Sequence, residues 1–506
     1  MRPFMLLISI MALFSCSTPP AEKADMGVFN QATDIGPVKI KGSTVYQPQT
    51  QTYTLTGSGT NIWGTSDEFQ FARKKLGGDF ILTCMAHFEG EGVDPHRKMG
   101  LMFRSDLTGG SVYADAAIHG DGLTSLQYRP EAGAETKEVK AEELSAPDVI
   151  QLERQRDTII MRAAKFGEPL QETGRITLQL PDSVYAGLFI GSHNPDVSET
   201  AVFENFRIDV PAAEGVSGYQ NPSPSRLEIL DVETGHRKVI YTTNTHIEAP
   251  NWSRDGKFLL YNSGGKIIKF PLDTINPQVL NTGVAQNNNN DHGISFDGTM
   301  LAVSSQTDLG DGKSGSIVYT IPIEGGDAFR VTDHAPSYWH GWSPDGKTLV
   351  YCAERNGNYD VYGIPATGGK EFRLTKAEGL DDGPEYTPDG AYIYFNSVRS
   401  GLMKIWRMKP DGSDQEQVSF GPYNDWFAHI SPDGKRMVYV SYPPTVAPGD
   451  HPHNKRVMIQ MQDTDSQESK VIAYLYGGQG TMNVPSWSPD GKHLAFVSFT
   501  YGDPKE

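Results

Sequence analysis

The sequence predicts an all-β chain of two domains, an N-terminal β-sandwich over residues 38–210 and a six-bladed β-propeller over 226–506. Three observations lead there. An Asp-Gly motif followed by a β-rich run recurs six times in the second half. A lone hairpin sequence, RLEILDVETGHRKVIY from Arg226, precedes the first copy, and the last copy lacks its second hairpin. Residues 38–210 carry many short runs of alternating hydrophobicity and no segment of helical period.

Each repeat has an aromatic residue or Ile, then Ser or Thr, then Asp-Gly two residues further on. The copies are NWSRDGKFLLY from Asn251, GISFDGTMLAV from Gly293, GWSPDGKTLVY from Gly341, EYTPDGAYIYF from Glu385, HISPDGKRMVY from His429 and SWSPDGKHLAF from Ser486. Spacings of about forty to sixty residues suit one four-stranded blade per copy. The Asp-Gly turn then joins the innermost strand to the second. Most copies go on to another hairpin, as in DVYGIPATGGKEFRLT and IWRMKPDGSDQEQVS. The hairpin at Arg226 to Tyr241 and the strand ending at Phe499 are expected to share one blade. That pairing closes the ring and removes two exposed sheet edges.

The SPDGK repeats, with a hairpin ending in Arg373-Leu374-Thr375, resemble TolB-type propellers over about Arg226 to Phe499. The resemblance implies the propeller fold and an exported bacterial protein. It does not choose among docking platform, peptidase cover and lyase scaffold, because such propellers serve as all three. In the first half, DEFQFARKKLGGDFIL (Asp67 to Leu82), GLMFR (Gly100 to Arg104), YAGLFIGSHN (Tyr185 to Asn194) and FENFRI (Phe203 to Ile208) resemble concanavalin-like jelly-roll domains. Residues 211–225 are rich in Gly, Ser and Pro and read as a linker.

The chain of 506 residues carries a net charge of -18, which opposes nucleic-acid binding because phosphates are repelled. Arg2 and the apolar run Met5 to Phe14 form a short leader, too short to span a bilayer. It ends in Leu13-Phe14-Ser15-Cys16, which resembles a bacterial lipobox and implies lipidation at Cys16. Residues 1–15 are therefore read as signal peptide and 16–37 as a lipidated tether, which anchors the protein in the periplasm or outer membrane. Cys84 and Cys352 each sit in an apolar strand run and read as core thiols.

In such a ring the Asp-Gly turns lie on one face. The loops leading into the inner strands, and those joining the second and third strands, lie on the other. On that second face fall Asp291 and His292, Tyr338, Trp339 and His340, Asp381 and Asp382 with Glu385, and Asp425 and Trp426 with His429. The long loop between Tyr442 and Arg456 adds His451-Pro-His453, and Gly-Gly-Gln-Gly adds Gln479. His292, His340, Glu385 and His429 are candidate acid–base residues, since imidazoles and carboxylates do that work. Strand alternation turns His292 and His340 one way and Glu385 and His429, one residue later in the repeat, the other. His451 and His453 are candidate ligands of a divalent metal. With Gln479 they resemble, in residue type, the metal-holding set of oligogalacturonate lyases. Those have seven blades, so the activity does not transfer. Trp339, Asp381, Asp382, Trp426 and Gln479 are candidate ligand contacts, and Arg355 and Arg399 could hold an anion bidentately. In the first domain Trp63, Tyr113, His119, Asp121, Tyr128 and His193 are candidates for a sugar-binding face, and Asp106 and Asp121 for Ca²⁺.

These features suit an envelope recognition protein that binds a carbohydrate or other polymer through the first domain and a ligand or protein partner at the propeller face. Two rival readings are a carbohydrate lyase or hydrolase using the His/Glu rim, with a divalent metal as cofactor, and a docking platform in envelope transport.

Overall fold

The computed structural model describes residues 25–213, 215–216, 223–310 and 312–501. The leader, Cys16 and part of the linker lie outside them. The described residues contain no helix, so none that could cross a membrane.

The first domain holds two seven-stranded sheets. One runs Gln31–Ile35, Phe69–Gly77, Ser183–Gly191, Lys98–Arg104, Tyr113–His119, Thr124–Arg129 and Lys137–Lys140. The other runs Gln171–Thr177, Thr158–Ala164, Val149–Gln155, Phe80–Glu89, Asn194–Asp209, Thr52–Gly59 and Ser43–Gln47. Alternate residues of both sheets meet in one core, for example Leu101 and Phe103 with Leu82 and Leu152. Cys84 is buried in that core, and burial pushes its thiol pKa up.

The propeller has six blades. Five are four-stranded sheets, spanning Glu248 to Val279, Asn288 to Arg330, Ser337 to Arg373, Asp381 to Gln417 and Asn424 to Gly477. The sixth is built from both ends of the domain. Ser225–Asp231 pairs antiparallel with His493–Phe499, from Ser225 opposite Phe499 to Asp231 opposite His493. Arg237–Thr243 is its outer strand, and Trp487 bridges to Leu494 on the inner side.

The Asp-Gly motif is a local hydrogen-bonded device. In the third blade Ser343 Oγ donates to Asp345 Oδ1 at 2.7 Å and accepts the Thr348 N–H at 2.9 Å. Asp345 Oδ1 accepts the Lys347 N–H at 3.1 Å. Gly346 sits at φ 69°, a conformation that costs glycine nothing. The same hydroxyl-to-Asp bond recurs at Ser253, Ser295, Thr387, Ser431 and Ser488.

The two domains are docked through buried charge. Glu228, in the closing blade, takes Arg207 of the first domain at 2.7 Å and has Arg237 at 3.6 Å. Burial alone would raise the Glu228 carboxyl, but the two guanidiniums more than offset it and hold it at about 2. Arg456 pairs with Glu153 at 2.6 Å, and Val471 N–H reaches the Gly167 carbonyl at 2.8 Å.

Candidate functional site: the channel mouth away from the Asp-Gly turns

Every inner strand of the five four-stranded blades carries a register shift. The shifts fall between Glu248 and Asn251, Asn288 and His292, Trp339 and Gly341, Asp382 and Glu385, and Trp426 and His429. A bulge adds one residue to a strand and re-aims the side chains around it. Ala249 and Phe427, inside two of these bulges, have φ of 56° each, a strained conformation outside glycine. The bulged residues open into a cavity of about 550 Å³ at the mouth of the channel.

Two carboxylates and two imidazoles meet there. His340 Nε2 lies 3.2 Å from Asp382 Oδ1. Burial alone would lower the His340 pKa, but the charges of Asp291 and Asp382 more than offset it, so it stands above the ordinary value. Burial alone would raise Asp382, but the His340 contact holds it at about 2. Asp291 is pushed up to about 6 by burial, partly countered by His340. Its carboxylate accepts the Asn289 carboxamide at 2.7 Å. His451 Nδ1 is 2.5 Å from Gln479 Oε1, which also accepts Asn483 Nδ2 at 2.9 Å. Burial lowers the His451 pKa. Tyr338, Tyr359 and Phe427 supply ring walls, and the Cys352 thiol lies on the same wall. Among the described residues lining this cavity, none is Lys or Arg.

Of the residues expected at this face, His340, Asp382, His451 and Gln479 come together here. The others do not. His292 is fully buried, and burial lowers its pKa to about 4. Glu385 and His429 turn away and pair with each other, Nδ1 to Oε2 at 2.6 Å. Glu385 Oε1 also accepts the Ile430 N–H at 3.0 Å, while the His429 carbonyl accepts Trp487 Nε1 at 2.9 Å. They occupy the repeat position of Asn251, whose Oδ1 accepts the Ile294 N–H at 3.1 Å. This position knits neighbouring inner strands together. Glu385 and Trp339 line a crevice of about 290 Å³ among residues of the Asp-Gly turns, including Arg254, Pro388, Pro432 and Pro489. Trp426 is fully buried against His451, with ring centroids 4.3 Å apart.

Neither expected anion-binding arginine is available for a ligand, because each has an acidic partner. Arg355 Nε is 2.9 Å from Glu371 Oε1, and Arg399 is 2.7 Å from Asp381. His451 and His453 do not share a metal-ligand cluster. His453 instead joins His246 and Glu248, where Glu248 Oε1 lies 3.0 Å from His453 Nε2 and 3.1 Å from His246 Nε2.

The first-domain candidates divide as well. Trp63 is 36% exposed, with Lys98 Nζ 5.2 Å from its ring centroid. Tyr113 is buried, its hydroxyl 3.1 Å from Thr136 Oγ1. His119 is buried beside Gln127, and burial lowers its pKa to about 3. His193 and His96 rings are 5.4 Å apart. Tyr128 packs on the core, and Asp106 and Asp121 cap local turns at Thr108 and Leu123.

Sequence reasoning set Asp291 on this face without giving it a role, and missed Asn483 and Glu248 as site residues. A signal for two of them was present. Glu248, Asn290, Tyr338, Asp382, Trp426 and Asn483 stand three residues before the interstrand position of Asn251, Gly293, Gly341, Glu385, His429 and Ser486. Four of these six line the cavity.

A closed six-bladed propeller with a polar, carboxylate-bearing channel mouth defines a class, and the comparisons with known proteins name it. The chain belongs to the TolB-type β-propeller family. The family model for the TolB β-propeller domain matches residues 333–447. A protein of unassigned function from Agrobacterium fabrum is 45% identical over 276 residues, covering 54% of this chain and 92% of that one. The solved structure of a TolB candidate from Agrobacterium tumefaciens shows 44% identity and a TM-score of 0.53, over 55% of this chain and 99% of that one. The Tol-Pal system protein TolB of Francisella tularensis is 24% identical over 284 residues, and this chain spans only 59% of its length.

Proposed function

We propose that the protein is an exported envelope recognition protein whose propeller mouth binds a neutral or amine-bearing sugar unit. The observation that carries this reading is the composition of the 550 Å³ cavity. Its size suits a small ligand or the end of a polymer. Asp291 and Asp382 favour a positive or hydroxyl-rich ligand. Carboxamides and imidazoles offer hydrogen bonds in both senses. Tyr338, Tyr359 and Phe427 offer flat apolar faces for a pyranose ring. With no lining Lys or Arg, and with Arg355 and Arg399 bound to carboxylates, a uronate would find no counter-charge. That weighs against a lyase of acidic polysaccharides.

Similarity to TolB proteins supports a place in the envelope, reached through the leader at residues 1–15 and lipid attachment at Cys16. The exposed Trp63 ring would give the first domain a second carbohydrate contact.

Titration calorimetry with glucosamine oligomers and with galacturonate oligomers tests the pocket. The glucosamine series is expected to bind, and Asp291→Asn with Asp382→Asn to weaken it about tenfold or more. Equal binding of galacturonates, or affinity unchanged in the double variant, would overturn the assignment.

A further inference from the structure

Outside that cavity, three potential metal ligands converge from segments far apart in sequence. We propose that His246, Glu248 and His453 form a binding site for one divalent transition-metal ion of the zinc class.

Both imidazole Nε2 atoms approach the same carboxylate oxygen, at 3.0 Å and 3.1 Å, and all three donors lie within 4.8 Å of one another. Tetrahedral zinc with bonds of about 2.0–2.1 Å separates its ligand atoms by about 3.3 Å. A small contraction or rotation therefore brings all three onto one ion. Two imidazoles and a carboxylate are also the donor set that this class of metal prefers over calcium or magnesium.

The surroundings hold the donors in place. Glu248 is buried, its side chain 4% exposed. It precedes the bulge at Ala249, whose N–H reaches the Gly480 carbonyl at 2.7 Å. Gly480 leaves room for it, since a Cβ there would lie 2.7 Å from Glu248 Cγ. Ser263 Oγ donates to the His246 carbonyl at 2.9 Å. The Phe499 ring stacks on His246 at 4.9 Å and lies 6.2 Å from His453. Packed, oriented ligands of this kind are what a metal site needs behind its first contacts. On the other side, His453 lines a crevice of about 460 Å³ with Asp450, Lys455 and Gln479, which gives a fourth coordination position a path to solvent.

Position in the ring gives the ion a consequence. His246 and Glu248 open the first blade, His453 comes from the long loop of the fifth, and Phe499 ends the sixth. A bound ion would tie the first blade to the fifth across the blade that closes the ring. Binding that occurs only in the folded ring adds to its stability by mass action.

The test uses the full chain stripped of metal by chelation, then titrated with Zn²⁺ by calorimetry and with Co²⁺ by visible absorption. One Zn²⁺ per chain, intense bands of four-coordinate cobalt and a higher Tm with metal are expected. Glu248→Gln and His453→Asn should each weaken Zn²⁺ binding about 100-fold and abolish the Tm gain. If one variant fails to fold, the other decides. His451→Ala and Asp382→Asn should bind Zn²⁺ as the unaltered chain does. No saturable Zn²⁺ binding, binding that survives in a folded Glu248→Gln or His453→Asn chain, or equal dependence on His451 would overturn the proposal. None of these outcomes depends on sugar binding at the channel mouth, so the two assignments fail separately.

Discussion

His340 Nε2 and Asp382 Oδ1 lie 3.2 Å apart, and each moves the other's proton affinity. His340 titrates above its ordinary value because the Asp291 and Asp382 charges exceed the effect of burial. In Asp382→Asn the His340 pKa should fall, because one of the two carboxylates that raise it is gone. Histidine titration by NMR measures it directly. The linked stability has a definite sign. A histidine with a raised folded pKa stabilises fully below its unfolded value of about 6.5 and loses that contribution as pH rises through the folded value. Unaltered protein should therefore lose more stability on the alkaline side than Asp382→Asn. Identical His340 titrations in the two chains would show that the pair is not coupled.

Glu228 stands between Arg207 and Arg237 with its carboxyl held at about 2. Glu228→Ala would leave two buried guanidiniums without their shared anion and should cost about 3–5 kcal/mol. The native pair also sets an acid limit. Its contribution is complete above the ordinary glutamate value of about 4.3 and is lost as pH falls toward 2. Urea melts at several pH values should show that acid loss in the unaltered chain and a smaller one in Glu228→Gln.

The Ser343 hydroxyl makes two bonds inside the third Asp-Gly turn, to Asp345 and from the Thr348 N–H. Ser343→Ala should cost about 1–2 kcal/mol, as loss of a capping hydroxyl does. Ser400→Ala, at an exposed position, should stay within about 0.5 kcal/mol. Equal melting of the two variants would mean that the repeated hydroxyl does not hold the turn.

Gly480 sits at φ 86° with Glu248 where a Cβ would go. Gly480→Ala should destabilise by about 2 kcal/mol or more, from backbone strain and from displacement of Glu248. Gly449→Ala has open space and no positive φ, so it should be neutral or slightly stabilising. Thermal melts of the two variants side by side decide the matter.

Much of the propeller was legible because its instructions are short-range. Ser343, Asp345, Gly346 and Thr348 interact within five residues, so six copies of the device announce six turns wherever they stand in space. The closing hairpin was legible for a related reason. The strand ending at Phe499 and the strand starting at Ser225 each need a partner, and antiparallel pairing satisfies both. Alternation also separated His340 from Glu385 and His429, since one residue of offset reverses a side chain.

The contents of the cavity were less legible. Alternation alone set His292 beside His340, yet only His340 reaches the space. The bulge in each inner strand inserts one or two extra residues, and across it the two-residue period no longer tells which side chain enters the channel. Arg355 and Arg399 looked available because Glu371 and Asp381 lie 16 and 18 residues from them, joined only when the strands pair.

The amino-acid sequence by itself determined the all-β class, the six-fold repeat and the closure of the ring. All of these rest on local hydrogen bonds and on the period of a strand. The tertiary structure decided which of those residues meet. Asp382 finds His340, His451 finds Gln479, and His453 leaves its neighbour His451 for His246 and Glu248, more than 200 residues away along the chain. Such partnerships depend on ring closure and on strand bulges, because both set distances in space that spacing along the chain does not encode.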